Sequence, residues 1–242
     1  MKAIQIIVEG KWGHFKRPET NNNPLSHDLI TKTALIGMIG AVLGKEREEM
    51  KSLFPQLSDD LLYGVQLLNP VKKISWGFTS RTAFKPWEAG SPKYFEFLKN
   101  PKFKIAVALK NERSVAVFLD FLKAVRNSEA IYTPVLGWHN CPASIELCSE
   151  SEFSELQKEK FEAYCFVGKP PVHTLESIGI NFRVGFDNLP TYQDDFWNFK
   201  KDKEGNYVSS YKEVIYPDAN HSLTVKGEYY QYKQDNSKWW LI

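Results

Sequence analysis

The amino-acid sequence predicts an α+β fold, in which strands and two helices precede a strand-rich C-terminal part. Two stretches repeat apolar residues at helical spacing, while several shorter runs are β-branched or alternate apolar with polar residues. The length of 242 residues and the apolar content of 43% are sufficient for a packed core. We expect a larger domain over residues 1–150 and a β-rich part over residues 151–242.

Four strands are predicted in the first 150 residues. Residues 3–8 (AIQIIV) and 61–68 (LLYGVQLL) are short apolar runs that end at polar or turn-forming residues. Residues 103–110 (FKIAVALK) alternate large apolar side chains with lysines and alanines, as a half-buried strand does. Residues 141–148 (CPASIELC) are predicted to form the closing strand.

Two helices are predicted between these strands. In residues 29–43 apolar side chains recur at helical spacing, with Asp28 or Ser26 as the N-cap and Gly44 as the end. A second helix follows the third strand, and its apolar stripe comprises Val115, Phe118, Leu119, Leu122 and Val125. The resulting order, strand–helix–strand–strand–helix–strand, is the ferredoxin-like order, which RNA-recognition sheets share with many unrelated proteins.

Two glycines lie inside the first predicted helix. Gly37 and Gly40 each cost about 1 kcal/mol relative to alanine in a helix interior. Either a neighbouring element packs tightly against them or a ligand contacts them, and we favour tight packing.

The segment between the second and third strands, residues 70–102, is too long for a tight hairpin. It is rich in basic and aromatic residues. KKISWGFTSRTAFKPW within it predicts a protruding β-ribbon, and Ser91 with Pro92 predicts the start of a short helix over PKYFEFLK.

The C-terminal part is predicted to begin with an acidic helix, ESEFSELQKEKFEA, at residues 150–163. Later segments are predicted to be strands, interrupted by the turn-prone stretches FDNLPTYQDD and KDKEGN. The strand segments are FEAYCFVG, NFRVGF, NYVSSYKEVIY and HSLTVKGEYYQY.

Charge is unevenly distributed along the chain, although the formal net charge is only +2. Residues 69–127 carry 12 Lys+Arg against 4 Asp+Glu, whereas residues 128–242 carry 11 against 17. A basic segment of this kind can meet a polyanion, and the acidic part then faces solvent or a basic protein. The alternative is a solvated lysine-rich surface.

Several classes of function and location are disfavoured. The common phosphate-binding, hydrolase and metalloprotease motifs are absent, and the three cysteines (Cys141, Cys148 and Cys165) lack zinc-site spacing. We therefore expect free thiols, no metal site and no cofactor. No apolar run reaches the roughly 18 residues of a membrane helix, and the opening apolar stretch is too short for a secretory signal, so we expect a cytoplasmic protein without membrane contact.

The segment KWGHFKRPETNNNPLSHD, residues 11–28, carries the chemistry of single-stranded RNA binding. Basic side chains pair with phosphates, aromatic rings stack on bases, and asparagines bond base edges or sugar hydroxyls. The basic side chains are those of Lys11, Lys16 and Arg17, and the aromatic rings are those of Trp12 and Phe15. Alternatively, the two rings cap the edge of the core and the asparagines form turns.

Residues 31–33 lie near the start of the first predicted helix. Thr31, Lys32 and Thr33 provide hydroxyls, amides and a cation there, which together form a potential anion site. Of the five histidines, His14 and His27 have the setting most compatible with a functional role.

Two motifs carry a resemblance to a known family. GHFKRPETNNN followed by ALIGMIGAVLG resembles the N-terminal signature of the Cas five family, whose members are subunits of type I CRISPR Cascade complexes. YTPVLGWHNCPASIE, at residues 132–146, is similar to that family's downstream P-x-x-L-G loop and strand. The asparagine-rich version, with GKEREEM after the helix, most resembles the type I-B branch.

The resemblance implies a scaffold that caps the 5′ end of the guide RNA, holds its repeat-derived handle, and contacts the backbone and large subunits. Target DNA is then met only through the assembled complex. Residues 70–102 correspond to a thumb that reaches across the RNA. The implied handle contacts are Trp12, His14, Phe15, Lys16, Arg17, Thr31, Lys32, Thr33, Leu136 and Gly137; the thumb contributes Lys72, Lys73, Arg81 and Lys85 for phosphates and Trp76, Phe78 and Phe84 for stacking.

The sequence departs from the family pattern in two places. NPLSHDLI replaces the prolines and the Ser-Tyr pair that many relatives have before the helix, and Trp138 with His139 replaces an arginine in the second loop. Handle contacts at these positions do not carry over.

Two other functions stay open. One branch of the family cleaves repeat RNA without metal, using the 2′-hydroxyl as nucleophile, and here His14 or His27 would transfer protons. The third possibility is an unrelated β-rich ligand-binding module, suggested by the 14% aromatic residues and seven tryptophans.

Overall fold

The computed structural model describes residues 1–81, 87–177, 183–192, 199–201, 204–205 and 207–242. The α-helices are α1 (Lys32–Val42), α2 (Arg47–Asp60) and α3 (Val115–Arg126). The strands are β1 (Lys2–Glu9), β2 (Trp12–Gly13), β3 (Leu61–Leu67), β4 (Lys73–Ser80), β5 (Ser91–Lys99), β6 (Lys102–Leu109), β7 (Ser144–Glu152), β8 (Gln157–Ala163), β9 (Val167–Gly168), β10 (His173–Ser177), β11 (Val184–Pro190), β12 (Phe199–Lys201), β13 (Tyr207–Ser209), β14 (Tyr211–Pro217), β15 (Leu223–Gln231) and β16 (Lys238–Trp239).

An antiparallel sheet with the order β3-β6-β1-β7 forms the centre of the molecule. Its two faces bury different partners because side chains alternate along each strand. Ile4 and Ile6 of β1 pack in the cluster that includes the helices. Ala3 belongs to a second cluster, with Tyr232 and Trp239 from the end of the chain. Both faces of the sheet are therefore covered.

The sequence-predicted strands at residues 3–8, 61–68 and 103–110 are confirmed as β1, β3 and β6. The closing strand begins at Ser144, three residues later than predicted. Both predicted helices form, but Leu119 of α3 is exposed and lies outside its buried stripe.

Helix α1 begins later than the predicted residue 29. Its N-cap is Thr31, whose Oγ1 accepts a hydrogen bond from the amide of Ala34 at 3.1 Å. The two predicted caps are engaged elsewhere, because Ser26 Oγ accepts from the amide of Phe15 and the Asp28 carboxylate pairs with Lys73. Gly44 ends the helix with a φ of +66°, as expected.

Helix α2 was missed by the sequence prediction. Met50, Leu53, Phe54 and Leu57 recur at helical spacing, but its first turn is charged and Pro55 lies within it. The helix begins with a side-chain cap, since Glu49 Oε2 accepts a hydrogen bond from the Glu46 amide at 2.9 Å. The helix packs against α1, where a Cβ on Gly40 would lie 2.5 Å from Sδ of Met50. The tight packing predicted for Gly40 is therefore confirmed.

Three local predictions were wrong because long-range strand pairing decided the conformation. The short helix predicted after Ser91 is β5, which pairs with β4 and β2. The acidic helix predicted at residues 150–163 is the end of β7 followed by β8, which pairs with β15. The first half of the turn predicted at residues 186–195 is β11, which pairs with β14. The predicted segments that begin at residues 181 and 206 start outside the described residues.

The segment after β3 forms the predicted protruding ribbon. Strands β4 and β5 pair over their whole length, and β2 joins the outer edge of β5 to give the order β2-β5-β4. Most residues of β4 are exposed. We call this three-stranded sheet the thumb sheet.

The hydrophobic core is shared between the two parts of the chain. Phe166, Val214 and Trp240 belong to the same buried cluster as β1 and α1. The backbone of Ile242 exchanges two 3.0 Å hydrogen bonds with Tyr63 of β3. The division near residue 150 stays a prediction. Of the helices described, none has the length and apolar character needed to cross a bilayer.

Candidate functional site

Three separate segments of the sequence, together with single residues of α2, β5 and β11, surround one cavity of about 720 Å³. These segments are the loop after β1, the start of α1 and the loop before β7. The cavity is lined by His14, Phe15, Lys16, Pro18, Thr31, Thr33, Ala34, Gly37, Met38, Phe54, Phe95, Val135, Gly137, Trp138 and Pro190. It is thus the place where both motifs of the sequence analysis meet.

The two loops are joined through their backbones. The amide of His14 donates to the carbonyl of Leu136 at 2.9 Å. Within the second loop, the Leu136 amide donates to the carbonyl of Cys141 at 2.8 Å. Gly137 has a φ of +83°, and a Cβ there would lie 2.2 Å from the carbonyl oxygen of His14. Glycine is therefore required at this position for both its conformation and its space.

Leu136 and Phe15 support the cavity from within the core. Leu136 is fully buried, and Phe15 is 3% exposed with its ring 6.2 Å from that of Phe103. Phe15 nevertheless lines the cavity, whereas Leu136 does not. The stacking role of Phe15 and the direct contact of Leu136 stay predictions. The alternative for Phe15, a ring that caps the edge of the core, fits its position.

The start of α1 presents its threonines but not its lysine. Thr31 and Thr33 line the cavity, with their Oγ1 atoms 3.0 Å apart. Lys32 points into the interior, where it is 4% exposed and its Nζ donates to the carbonyl of Ser58 at 2.8 Å. Burial, together with the nearby Lys110, lowers the pKa of Lys32 to about 7. The prediction that Lys32 contacts an anion is wrong for this conformation.

His14 is held in one orientation at the cavity wall. Its Nδ1 lies 2.7 Å from the carbonyl oxygen of Glu96 and must donate, which leaves Nε2 as an acceptor. Burial lowers its pKa, and the Glu96 carbonyl only partly opposes this. The rings of Phe97 and Trp138 lie 5.5 and 6.2 Å away. His14 is therefore a neutral imidazole at pH 7.

The other histidine of the segment, His27, is a structural residue. It is buried, and its Nδ1 lies 2.8 Å from Oδ1 of Asp187 on β11. Oδ2 of Asp187 accepts from the amide of Asp28 at 2.9 Å. Burial on its own raises the pKa of Asp187, but the hydrogen bond and charge of His27 outweigh it, and the pKa is below its usual value. His27 does not line the cavity, which argues against a catalytic role.

Two predicted phosphate-binding cations are engaged by carboxylates. Arg17 Nη2 lies 3.3 Å from Oδ1 of Asp187, with the arginine half-buried. Lys73 Nζ lies 2.6 Å from Asp28 and 2.9 Å from Glu96. Because it pairs with the carboxylates of Asp28 and Glu96, Lys73 fastens the thumb sheet to the loop after β1. Its assignment as a phosphate partner stays a prediction.

Other predicted cations remain accessible. Lys16 is exposed at the rim of the cavity, and its Nζ is 3.4 Å from Oδ1 of Asn21. Lys11, Lys72 and Arg81 are exposed too, away from the cavity lining. Lys85 and Phe84 lie outside the described residues.

The thumb sheet carries a continuous group of aromatic rings toward the cavity. Trp12 and Trp76 lie 4.5 Å apart between ring centroids, and Phe95 stacks on Trp138 at 5.2 Å with an interplanar angle of 12°. Trp76 and Phe78 are 39% and 38% exposed. Accessible rings of this kind can stack on bases.

Some cavity residues were missed by the sequence analysis. Phe54 was missed because α2 was not predicted, and Pro190 because β11 was taken for a turn. Trp138 had been noted only as a departure from the family pattern. Gly37 carried a usable signal, since a glycine in a helix interior needs an explanation. In the residues that the structure covers, no three His, Cys, Asp or Glu side chains group as a metal site requires.

Comparison with known proteins gives one family. The family model described as CRISPR-associated protein (Cas_Cas5) matches residues 3–195. No curated protein matches the sequence significantly.

Solved structures provide further matches. A crystal structure of a CRISPR protein from Archaeoglobus fulgidus aligns with a TM-score of 0.60 at 14% identity, over 99% of this chain and 98% of the other. A CRISPR RNA-guided surveillance complex aligns with a TM-score of 0.47 at 14% identity, over 93% and 91%. A crystal structure of a Cas protein aligns with a TM-score of 0.46 at 15% identity, over 89% and 95%. The likeness to the first of these shows a shared fold.

Proposed function

The chain belongs to the CRISPR-associated protein (Cas_Cas5) family, and on this premise we propose that it is a non-catalytic RNA-binding scaffold of a type I CRISPR Cascade complex. In this role it caps the 5′ handle of the guide RNA and contacts the backbone and large subunits. Target DNA is met only through the assembled complex.

The convergence of both motifs on one cavity is the observation that carries this proposal. The loop after β1, the start of α1 and the loop before β7 are distant in sequence but line the same space. Lys16 stands exposed at its rim, and the exposed rings of Trp76 and Phe78 extend from it along the thumb sheet. Cations beside accessible rings suit a single strand, whose phosphates and bases need both.

The central sheet also supports the proposal. Strands β1, β3, β6 and β7, with helices after β1 and β6, follow the order β-α-β-β-α-β, and they are arranged as β3-β6-β1-β7. We interpret this as the ferredoxin-like arrangement with the thumb sheet inserted between the second and third strands of the unit.

A metal-independent endoribonuclease is the second candidate, because His14 lines the cavity. Its neutral ring and free Nε2 would allow it to accept a proton. His27 offers no support, since Asp187 holds it in the interior. Repeat RNA incubated with the purified protein in chelator separates the two functions: a single discrete cut that disappears in His14→Ala would overturn the scaffold proposal.

The first experiment is to tag the protein in its native host, purify it gently and sequence the 5′ ends of the RNA that accompanies it. A scaffold for the handle predicts 5′ ends that share one short repeat-derived sequence followed by variable spacers. Random ends, or no RNA, would contradict the proposal.

A salt titration with a matched pair of variants tests the site. Lys16→Ala should weaken RNA binding and make the logarithm of affinity about 0.7 less steep against the logarithm of salt concentration, since one phosphate contact is lost. Lys158→Ala, which removes an exposed lysine of β8, should change neither. Affinity that hardly responds to salt would instead favour the unrelated ligand-binding module.

A further inference from the structure

Gly37 lies in the middle of α1 without a packing reason in the described structure. A Cβ added to it would meet only Cζ of Phe54, at 3.6 Å, which is ordinary contact. At Gly40, one turn later, a Cβ would lie 2.5 Å from Sδ of Met50. Packing explains the second glycine but not the first, although a glycine in a helix interior weakens the helix relative to alanine. Gly37 instead forms part of the cavity surface.

The cavity around Gly37 has an apolar side and a polar side. Ala34, Gly37 and Met38 form a strip along α1, and the ring of Phe54 lies beside it. Across the same space are the stacked rings of Phe95 and Trp138 from two other segments. A flat group can lie on a helix surface that has no side chain at one position, and aromatic walls favour a planar ring.

The polar groups at the cavity suit the edge of a nucleobase and its phosphate. Nε2 of His14 is an acceptor, because Nδ1 is used by the carbonyl of Glu96. The Thr33 hydroxyl lies near the start of α1, and Lys16 stands at the rim. Among the described residues that line the cavity, none is a carboxylate, so the lining itself carries no negative side chain that would repel an anionic chain.

We infer that this cavity receives one unstacked nucleobase of the bound RNA, with Gly37 leaving the space for the ring and Lys16 meeting the adjoining phosphate. The inference rests on the proposed function and adds to it a base-binding pocket within the site. The volume of about 720 Å³ is within the range of sites for small ligands, about 300–1,000 Å³. An apolar side chain of a protein partner is the competing occupant, and the cation at the rim and the absence of a lining carboxylate favour RNA.

Filling the cavity from Gly37 tests this directly. Binding of the purified protein to two fluorescent 12-nucleotide probes would be measured: oligo(A), and a ribose-phosphate chain of equal length without bases. The wild-type protein should bind oligo(A) more tightly, by roughly tenfold or more. Gly37→Leu should remove most of that difference while leaving the affinity for the abasic chain unchanged.

Three further variants control for folding. Gly37→Ala should raise the melting temperature by about 2–4 °C, because alanine is the better helix former and its Cβ fits. Gly37→Met fills the cavity with a flexible chain, if Gly37→Leu does not fold. Ser52→Leu adds a leucine to the exposed surface of α2 and should leave both affinities unchanged.

The outcomes separate the pocket from the proposed function. If the wild-type protein binds both probes equally, the pocket is rejected and RNA binding stands; if it binds neither, both fail. If folded Gly37→Leu and Gly37→Met keep the preference for oligo(A), the pocket is likewise rejected. If folded Gly37→Leu and Gly37→Met keep that preference but no longer assemble with other subunits in the host, the cavity holds a side chain of a protein partner instead.

Discussion

Nδ1 of His27 lies 2.8 Å from Oδ1 of Asp187, across 160 residues of chain. This contact joins the loop after β1 to β11 of the C-terminal part. Arg17 and the amide of Asp28 bind the same carboxylate. The segment at residues 11–28 therefore holds the two parts of the chain together on one side and lines the cavity on the other.

Asp187→Ala should destabilise the fold by about 3 kcal/mol, because it leaves a buried histidine and a buried amide without their partner. Urea unfolding at pH 7 measures the change. Asn188→Ala, at the exposed neighbouring position of β11, is the matched control and should lie within about 0.5 kcal/mol of wild type. Equal effects of the two substitutions would show that the network is dispensable.

Gly137→Ala should cost more stability than Gly205→Ala. Both glycines have positive φ, +83° and +87°, so an alanine suffers similar backbone strain at either site. Within the described part of the chain, only the new Cβ at Gly137 meets another atom, the carbonyl oxygen of His14 at 2.2 Å. We expect about 1 kcal/mol of destabilisation at Gly205 and at least about 2 kcal/mol at Gly137. Comparable melting temperatures for the two variants would contradict the close approach of the two loops.

Trp239→Ala should cost about 3–5 kcal/mol, because its ring is buried against the second face of the central sheet. Ala106 and Ala108 leave the room that it occupies there. Trp87→Ala is the control, since that ring is 79% exposed and should contribute little. Chemical denaturation measures both changes in stability, and equal losses in the two variants would contradict this role of Trp239.

Acidification should destabilise the protein through His173. The amide of Gly168 donates to its Nδ1 at 3.1 Å and its Nε2 donates to the carbonyl of Glu228, so the bonds fit only the neutral ring. Burial lowers the pKa of His173 below the ordinary 6.5. The unfolded state then binds more protons than the folded state, so stability is complete above about pH 6.5 and falls as the pH drops toward the folded pKa.

Urea midpoints between pH 5 and pH 8 check this dependence. His173→Gln should flatten the decline below pH 6.5, and a smaller decline should remain because burial lowers the pKa of His14 in the same direction. His139→Gln, at an exposed position, should retain the wild-type profile. An unchanged slope in His173→Gln would exclude this histidine as the source.

The candidate site was predictable in its segments but not in the roles of individual side chains. The two sequence motifs predicted that the loop after β1, the start of α1 and the loop before β7 belong to one functional region. Residues of all three segments line the cavity. The same reasoning assigned phosphate contacts to Lys32 and Lys73, which the fold buries or pairs with carboxylates. The sequence shows that a residue is a lysine, but the residues around it in the fold decide whether its ammonium group can reach a phosphate.

By itself, the sequence determined the elements whose periodicity is local: β1, β3 and β6, and the helices α1 and α3. Only the tertiary structure decided that residues 157–163 form a strand, because β8 exists through its pairing with β15. It also decided that His27 is bound to Asp187 and that Gly37 opens onto a cavity. Local patterns report which faces of an element are apolar, whereas pairing, burial of charge and empty space arise from contacts between residues far apart in the chain.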